Sequence, residues 1–195
     1  MFDASLRRVK DRLLSRLALA LKSVSPLAIT GMGLLAGLGA AWCAARGGYW
    51  AALALFWLGR ILDGLDGAVA RAAGTQSALG GYLDLMADFM VYAAIPIAIW
   101  WGLRAEQSPL ALIVMLAVFY INAASWMLLS ALVEKTDAMT SVSMPTGLIE
   151  GFETIFFYSL FLLFPAWARE LFWVFSALVT FSALQRVVWA WRKLK

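Results

Sequence analysis

The stretch DGLDGAVARAAGTQSALGGYLDLMAD, residues 63–88, places four carboxylates at the facing ends of two apolar runs. Residues 49–70 are apolar apart from Arg60, Asp63 and Asp66, and residues 79–103 are apolar apart from Asp84 and Asp88. About twenty such residues are enough to cross a bilayer as a helix. Between the runs lies a short break, residues 73–76, with the glycine and small polar residues of a turn. The spacing therefore predicts two antiparallel helices. Asp63 and Asp66 are three apart and Asp84 and Asp88 four apart, so each pair shares a helix face. If the faces meet, four acids converge at one shallow depth. A charge in hydrocarbon costs about 2.5–3.5 kcal/mol even on the insertion scale, so this layer needs a functional explanation.

Working outward, the chain of 195 residues is 63% hydrophobic and only 14% charged. Soluble domains carry about a quarter charged residues. With a mean hydropathy of +0.81, this much apolar surface must face lipid. Six apolar runs are long enough to span, at 26–45, 49–70, 79–103, 109–133, 148–166 and 171–191. The breaks at 46–48, 73–76, 104–109, 134–145 and 165–170 carry glycine, proline or charge. Trp42, Trp50, Trp101, Trp167, Trp189 and Trp191 stand near run ends, where indole favours the membrane boundary. Residues 1–22 repeat Phe2, Leu6, Val9, Leu13, Leu17 and Leu21 at helical spacing with six basic residues interleaved, an interfacial amphipathic pattern. The expected fold is therefore all-α and integral to the membrane. Residues 1–22 form an N-terminal amphipathic helix, followed by a six-helix transmembrane domain over 23–195. Six spans put both termini on one side, with the N-terminal basic cluster, Arg71, Lys135, Arg186, Arg192, Lys193 and Lys195. The positive-inside rule makes that side the cytoplasm, which also places the acid layer there.

Histidine is absent and Cys43 is the one cysteine. This excludes histidine acid–base chemistry, histidine-ligated zinc and an intrachain disulfide. With no soluble domain, a nucleic-acid partner is not expected. A cluster of four unneutralised acids repels itself, and hard divalent cations relieve this by taking carboxylate oxygens as ligands. An all-oxygen donor set suits Mg2+ or Mn2+ better than zinc or copper. Four carboxylates suit two ions, an arrangement that serves phosphoryl chemistry. Gly64, Gly67, Gly80 and Gly81 leave room for a ligand to approach the backbone, and Arg71 is placed to pair with phosphate or to balance the acids. The alternative is a transporter or ion pathway, which would spread polar groups across the depth of the membrane instead of in one layer.

Residues 63–88 also match D-x2-D-G-x2-A-R-x8-G-x3-D-x3-D at Asp63, Asp66, Gly67, Ala70, Arg71, Gly80, Asp84 and Asp88. That pattern resembles the signature of the CDP-alcohol phosphotransferase family, and the six spans behind a basic helix extend the likeness loosely to the whole chain. The resemblance implies a metal-dependent enzyme of phospholipid biosynthesis that moves a phosphatidyl group from CDP-diacylglycerol to a small alcohol and releases CMP. It implies that Asp63, Asp66, Asp84 and Asp88 hold the metals and that Asp66, Gly67, Ala70, Arg71 and Gly80 form the nucleotide and pyrophosphate site. Asp88 would double as the general base that takes the acceptor proton. A homodimer and a bacterial inner-membrane location are implied in the same way.

The acceptor is less legible. Phe89 follows the last aspartate, where family members that use phosphorylated acceptors carry Lys or Arg. The stretch GTQS, with Pro96 downstream, is more similar to phosphatidylserine synthases. In MPTGLIEGFET, residues 144–154, Glu150 and Glu153 share a helix face that Asn122 and Ser125 of the fourth run are expected to meet. Two readings stand. This polar wall receives a neutral or amine-bearing alcohol, or one of the two glutamates pairs with Arg60 to fix helix packing.

Overall fold

A computed structural model of the chain describes residues 16–103, 108–137, 149 and 151–193, with the side chains of 133–137 excepted. Among the described residues every regular element is helical. The chain divides into two units, Met1–Arg104 and Ala105–Lys195.

In the first unit, residues 16–20 are helical. The rest of the expected amphipathic helix, residues 1–15, lies outside the described residues. A turn leads to α1, Pro26–Ala45, which opens with Ser25 in an extended conformation and a proline in its first turn, where the missing N–H costs no hydrogen bond. Helix α2, Tyr49–Ala73, stops at Gly74, whose φ of 66° is left-handed and suits glycine. Helix α3, Ala78–Gly102, is capped by Ser77 Oγ, which accepts the Gly80 N–H at 3.0 Å. The two helices expected to carry the acids thus have the expected order, with the turn at 74–77 between them.

Helix α1 packs against both α2 and α3, while α2 and α3 make little direct backbone contact. Small residues permit this. A Cβ on Gly59 would come within 3.2 Å of the Gly33 carbonyl, and one on Gly37 would collide with Val91. Close backbone approach of this kind is how helices associate in lipid. Near the cavity described below, Ala18, Ile29, Leu65 and Val69 form a buried cluster with Leu21, Val24 and Leu62 against it, which fastens residues 16–24 to α1 and α2.

The second unit contains α4, Leu110–Asp137, then α5, Gly151–Leu163, a single 3-10 turn at Pro165–Trp167, and α6, Ala168–Lys193. Helix α4 packs on α6. Its core is aromatic: Phe161 meets Phe172 edge-on at 5.0 Å, and Phe157 lies 5.2 Å from Phe175. Arg186, grouped by sequence with the basic tail, is instead buried, held by Asn122 on α4. Its Nη1 donates to Asn122 Oδ1 at 2.6 Å and to the Asn122 carbonyl at 3.3 Å.

Among the described residues, four helical segments are long and apolar enough to cross a membrane: Pro26–Ala45, Ala78–Gly102, Leu110–Leu132 and Pro165–Lys193. Helix α2 is long enough at 25 residues but carries Arg60, Asp63, Asp66 and Arg71. The described part of α5 is 13 residues. Leu35, Trp50, Trp101 and Tyr120 stand exposed along these helices, as lipid-facing side chains do.

Gly37→Val tests the packing. The added side chain is expected to destabilise the detergent-solubilised protein by about 1–3 kcal/mol, and a second change, Val91→Ala, is expected to restore part of the loss. Thermal unfolding that shows no difference between Gly37→Val and the parent protein would contradict the close approach.

Candidate active site

Helix α1 keeps the backbones of α2 and α3 apart, and the acids meet between them through their side chains. On α2, Asp63 is partly exposed and Asp66 is buried. On α3, Asp84 and Asp88 are both partly buried. The Asp84 carboxyl lies within hydrogen-bonding reach of Asp63 and close enough to Asp66 and Asp88 to feel their charge. The structure thus brings together all four acids singled out in the sequence.

Two partners restrain them. Thr30 Oγ1 lies 2.5 Å from Asp66 Oδ2 and 3.1 Å from the Pro26 carbonyl, so its single proton serves one of them at a time. Arg60, one turn before Asp63, is 7% exposed. Its Nη1 donates to Asp88 Oδ1 at 2.5 Å and to the Tyr92 hydroxyl at 3.2 Å, and it stands 3.9 Å from Asp63 Oδ1. The guanidinium also faces the rings of Tyr92 and Phe56, at 5.3 and 5.9 Å. One buried cation therefore joins the α2 acids to the α3 acids.

Two spaces border the cluster. A cavity of about 630 Å³ is walled by residues 22–27, Thr30, Asp66, Gly67, Ala70, Arg71, residues 75–77, Gly80, Gly81 and Asp84. This holds every residue assigned by resemblance to the nucleotide site. Its volume suits a ligand the size of a nucleotide. A Cβ on Gly67 would press within 3.3 Å of Arg71 Nη1, and one on Gly80 within 3.1 Å of Ser77 Oγ, so small residues here keep the wall open. A second gap of about 10 Å³ lies among Thr30, Gly33, Arg60, Asp63, Asp84 and Asp88.

The donor set is oxygen throughout, which fits a hard divalent cation. Among the described residues no three acids are grouped tightly enough to hold an ion as they stand. Thr30 draws on Asp66 and Arg60 on Asp88, while the mutual approach of Asp63 and Asp84 is a contact that a cation between them would replace. The residues fit Mg2+ or Mn2+ with small side-chain shifts.

The sequence reading passed over the wall formed by Lys22, Ser23 and Ser25, and over Thr75, Gln76 and Ser77. The short polar run before Pro26 was the available signal. It also assigned Arg60 no role toward Asp88, although Arg60 and Asp63 share a face at three-residue spacing. Of the acceptor-wall residues, Asn122 is buried against Arg186, and Glu153 lies in the first turn of α5. Glu150 lies outside the described residues.

The profile of the CDP-alcohol phosphatidyltransferase family matches residues 23–191. The chain belongs to this family of transferases, and it is a multi-pass integral membrane protein. It is 36% identical to the inner membrane protein YnjF of Escherichia coli K12 over 170 residues, 84% of this chain and 82% of that protein. A CDP-diacylglycerol–serine O-phosphatidyltransferase of Mycobacterium tuberculosis is 34% identical over 93 residues, 48% of this chain and 32% of that one. Among solved structures, the phosphatidylinositol phosphate synthase PgsA1 of M. tuberculosis with CDP-DAG bound superposes with a TM-score of 0.73. It is 20% identical, covering 92% of this chain and 94% of that one. The same synthase with manganese and citrate gives 0.72 at 19% identity, covering 91% and 88%.

Thr30→Val keeps the side-chain shape and removes the hydroxyl on Asp66. Losing a hydrogen bond that orients a metal-binding carboxylate costs about 10–100-fold in metal affinity, so a Mn2+ titration followed by EPR is expected to show binding about tenfold weaker. Unchanged affinity would contradict a metal role for Asp66.

Proposed function

We propose that the chain transfers a phosphatidyl group from CDP-diacylglycerol to a small alcohol and releases CMP. One observation carries this reading: the signature's Asp66, Gly67, Ala70, Arg71, Gly80 and Asp84 all wall one nucleotide-sized cavity, and Asp63, Asp84 and Asp88 line the narrow gap beside it. Asp63, Asp66, Asp84 and Asp88 are the residues that would hold divalent metal. When bound, the metal supplies positive charge to the pyrophosphate oxygens.

The remaining chemistry falls to side chains. Arg71 faces the cavity from the last turn of α2 and is placed to pair with phosphate oxygens. The glycine and alanine wall admits the pyrimidine. Asp88 accepts the proton of the acceptor hydroxyl as its oxygen bonds to the lipid-side phosphorus. The bond from that phosphorus to the CMP oxygen breaks, and CMP leaves with the electron pair. Positioning and fixed charge carry most of such a reaction.

The acceptor class is a neutral or amine-bearing alcohol, serine among the candidates. Phe89 in place of a basic residue supports this, as do Glu150 and Glu153 at the start of the fifth helical run. All six runs span in this reading, with α2 about 37 Å long by helical rise. Most of the basic residues then lie with both termini and the active site on the cytoplasmic side, against Arg46, Arg104 and Arg169 on the other, in a bacterial inner membrane.

The test is CMP release from CDP-diacylglycerol with Mg2+ across serine, inositol, inositol phosphate, glycerol phosphate, choline and ethanolamine. Turnover with one unphosphorylated alcohol is expected. Asp88→Asn is expected to lower it by about 10²–10⁴-fold, and Glu153→Gln to raise KM for the alcohol alone. No CMP from a folded protein that binds CDP would contradict the reaction. Turnover only with a phosphorylated alcohol would contradict the acceptor class.

A further inference from the structure

We propose that Lys22 is a further phosphate-binding residue of the nucleotide cavity, holding pyrophosphate oxygens from the segment before α1 while Arg71 holds them from α2. The proposal rests on the reading of this cavity as a nucleotide site and deepens it. Lys22 lies outside the signature, one residue before the stretch that the family profile matches, so the contact belongs to this chain's own sequence.

The segment that carries Lys22 has two sides. Leu17 and Leu19 are 52% and 60% exposed, as side chains that meet lipid are. Ala18 is buried on Ile29, Leu65 and Val69, and Leu21 and Val24 pack against the same cluster. The Leu21 N–H donates to the Leu17 carbonyl at 3.0 Å, so the helical path reaches this point, and the Val24 N–H closes onto the Leu21 carbonyl at 2.8 Å. Lys22 follows Ala18 by four residues, which puts it on the inward face, and there it borders the cavity. Leu65 and Val69 are chain neighbours of Asp66 and Ala70 in the cavity wall. The packing that fastens the segment therefore also sets Lys22 against the cavity-facing turns of α2.

Charge makes the same case. The ionisable residues of the cavity wall are two cations, Lys22 and Arg71, and two acids, Asp66 and Asp84. Asp66 accepts from Thr30, and Asp84 lies beside Asp63. Among the described residues Lys22 joins no ion pair. It is exposed, so its ammonium keeps its hydration until an anion arrives. An ammonium is a compact point charge that binds phosphate without a fixed direction, which suits two phosphoryl groups that turn about one bridging oxygen. Lys22 binds and does not react.

The ordinary alternative is an interfacial lysine that draws anionic lipid. Arg16, exposed on the same segment and outside the cavity wall, occupies that position and provides the comparison.

The experiment uses the full chain in neutral detergent with Mg2+ and compares it with Lys22→Gln, Lys22→Arg and Arg16→Gln. Affinities for CDP and for cytidine are measured by calorimetry at low and high KCl, and KM and kcat for CDP-diacylglycerol in the same micelles. The binding arm needs no acceptor, so it decides even where turnover fails. Lys22→Gln is expected to weaken CDP about three- to tenfold and to leave cytidine within about twofold. The loss is expected to shrink at high KCl, which screens an exposed charge. Lys22→Arg is expected to restore most of it, and Arg16→Gln to change neither ligand. KM for CDP-diacylglycerol is expected to rise by the same factor in Lys22→Gln with kcat within about threefold, the pattern of a contact made in ground and transition states alike.

Unchanged CDP affinity in Lys22→Gln would overturn the proposal and leave the nucleotide reading standing. So would an equal loss of CDP and cytidine, which reports a displaced wall instead of a lost phosphate contact. Equal losses in Lys22→Gln and Arg16→Gln would overturn it in favour of a general surface charge. A parent protein that binds no CDP would remove the nucleotide reading and this proposal with it.

Discussion

Like-charge repulsion among Asp63, Asp66, Asp84 and Asp88 is the constraint that the first unit is built around. Two like charges about 4 Å apart cost about 4 kcal/mol at the effective permittivity of a protein surface, and here four acids share one layer of two apolar helices. The scaffold answers with fixed partners. Thr30 on α1 reaches Asp66, and Arg60 on α2 reaches Asp88 and Asp63. Helix α1 holds both acid-bearing helices through glycine contacts, so the acids are kept near one another without being pressed together. The resulting space is where a cation and a pyrophosphate have electrostatic reason to bind.

This arrangement also divides labour between the two ends of the acid layer. Asp66 and Asp84 face the large cavity, with Arg71 and the small-residue wall beside them. Asp88 faces the narrow gap and the buried guanidinium. In the proposed reaction phosphate recognition and proton acceptance would therefore fall on different acids, although the signature spaces them along one hairpin. The segment before Pro26 completes the cavity wall, held down by Leu21 and Val24 against Ile29, Leu65 and Val69.

Much of this was legible in the sequence because membrane helices follow rules that act locally. The apolar runs at 26–45, 49–70 and 79–103 appear as α1, α2 and α3 with ends shifted by three residues at most. The acid pairs share faces because helical spacing alone requires it. What remained hidden depends on contacts between elements. Residues 22–25 belong to the cavity only because the chain folds back on α2, and Arg60 turns toward Asp88 only because α3 returns beside it. Arg186 read as a tail charge because its burial depends on Asn122, 64 residues earlier in the chain. The acceptor resists a sequence reading for the same reason.

The most direct test of the account is whether a cation binds in the aspartate layer. Crystals of the protein grown with Mn2+ and CDP are expected to give an anomalous difference peak in contact with Asp63 and Asp84, beside the Asp66 and Arg71 wall. Ordered CDP in the cavity with no anomalous peak at these acids would contradict a metal-dependent phosphoryl-transfer centre.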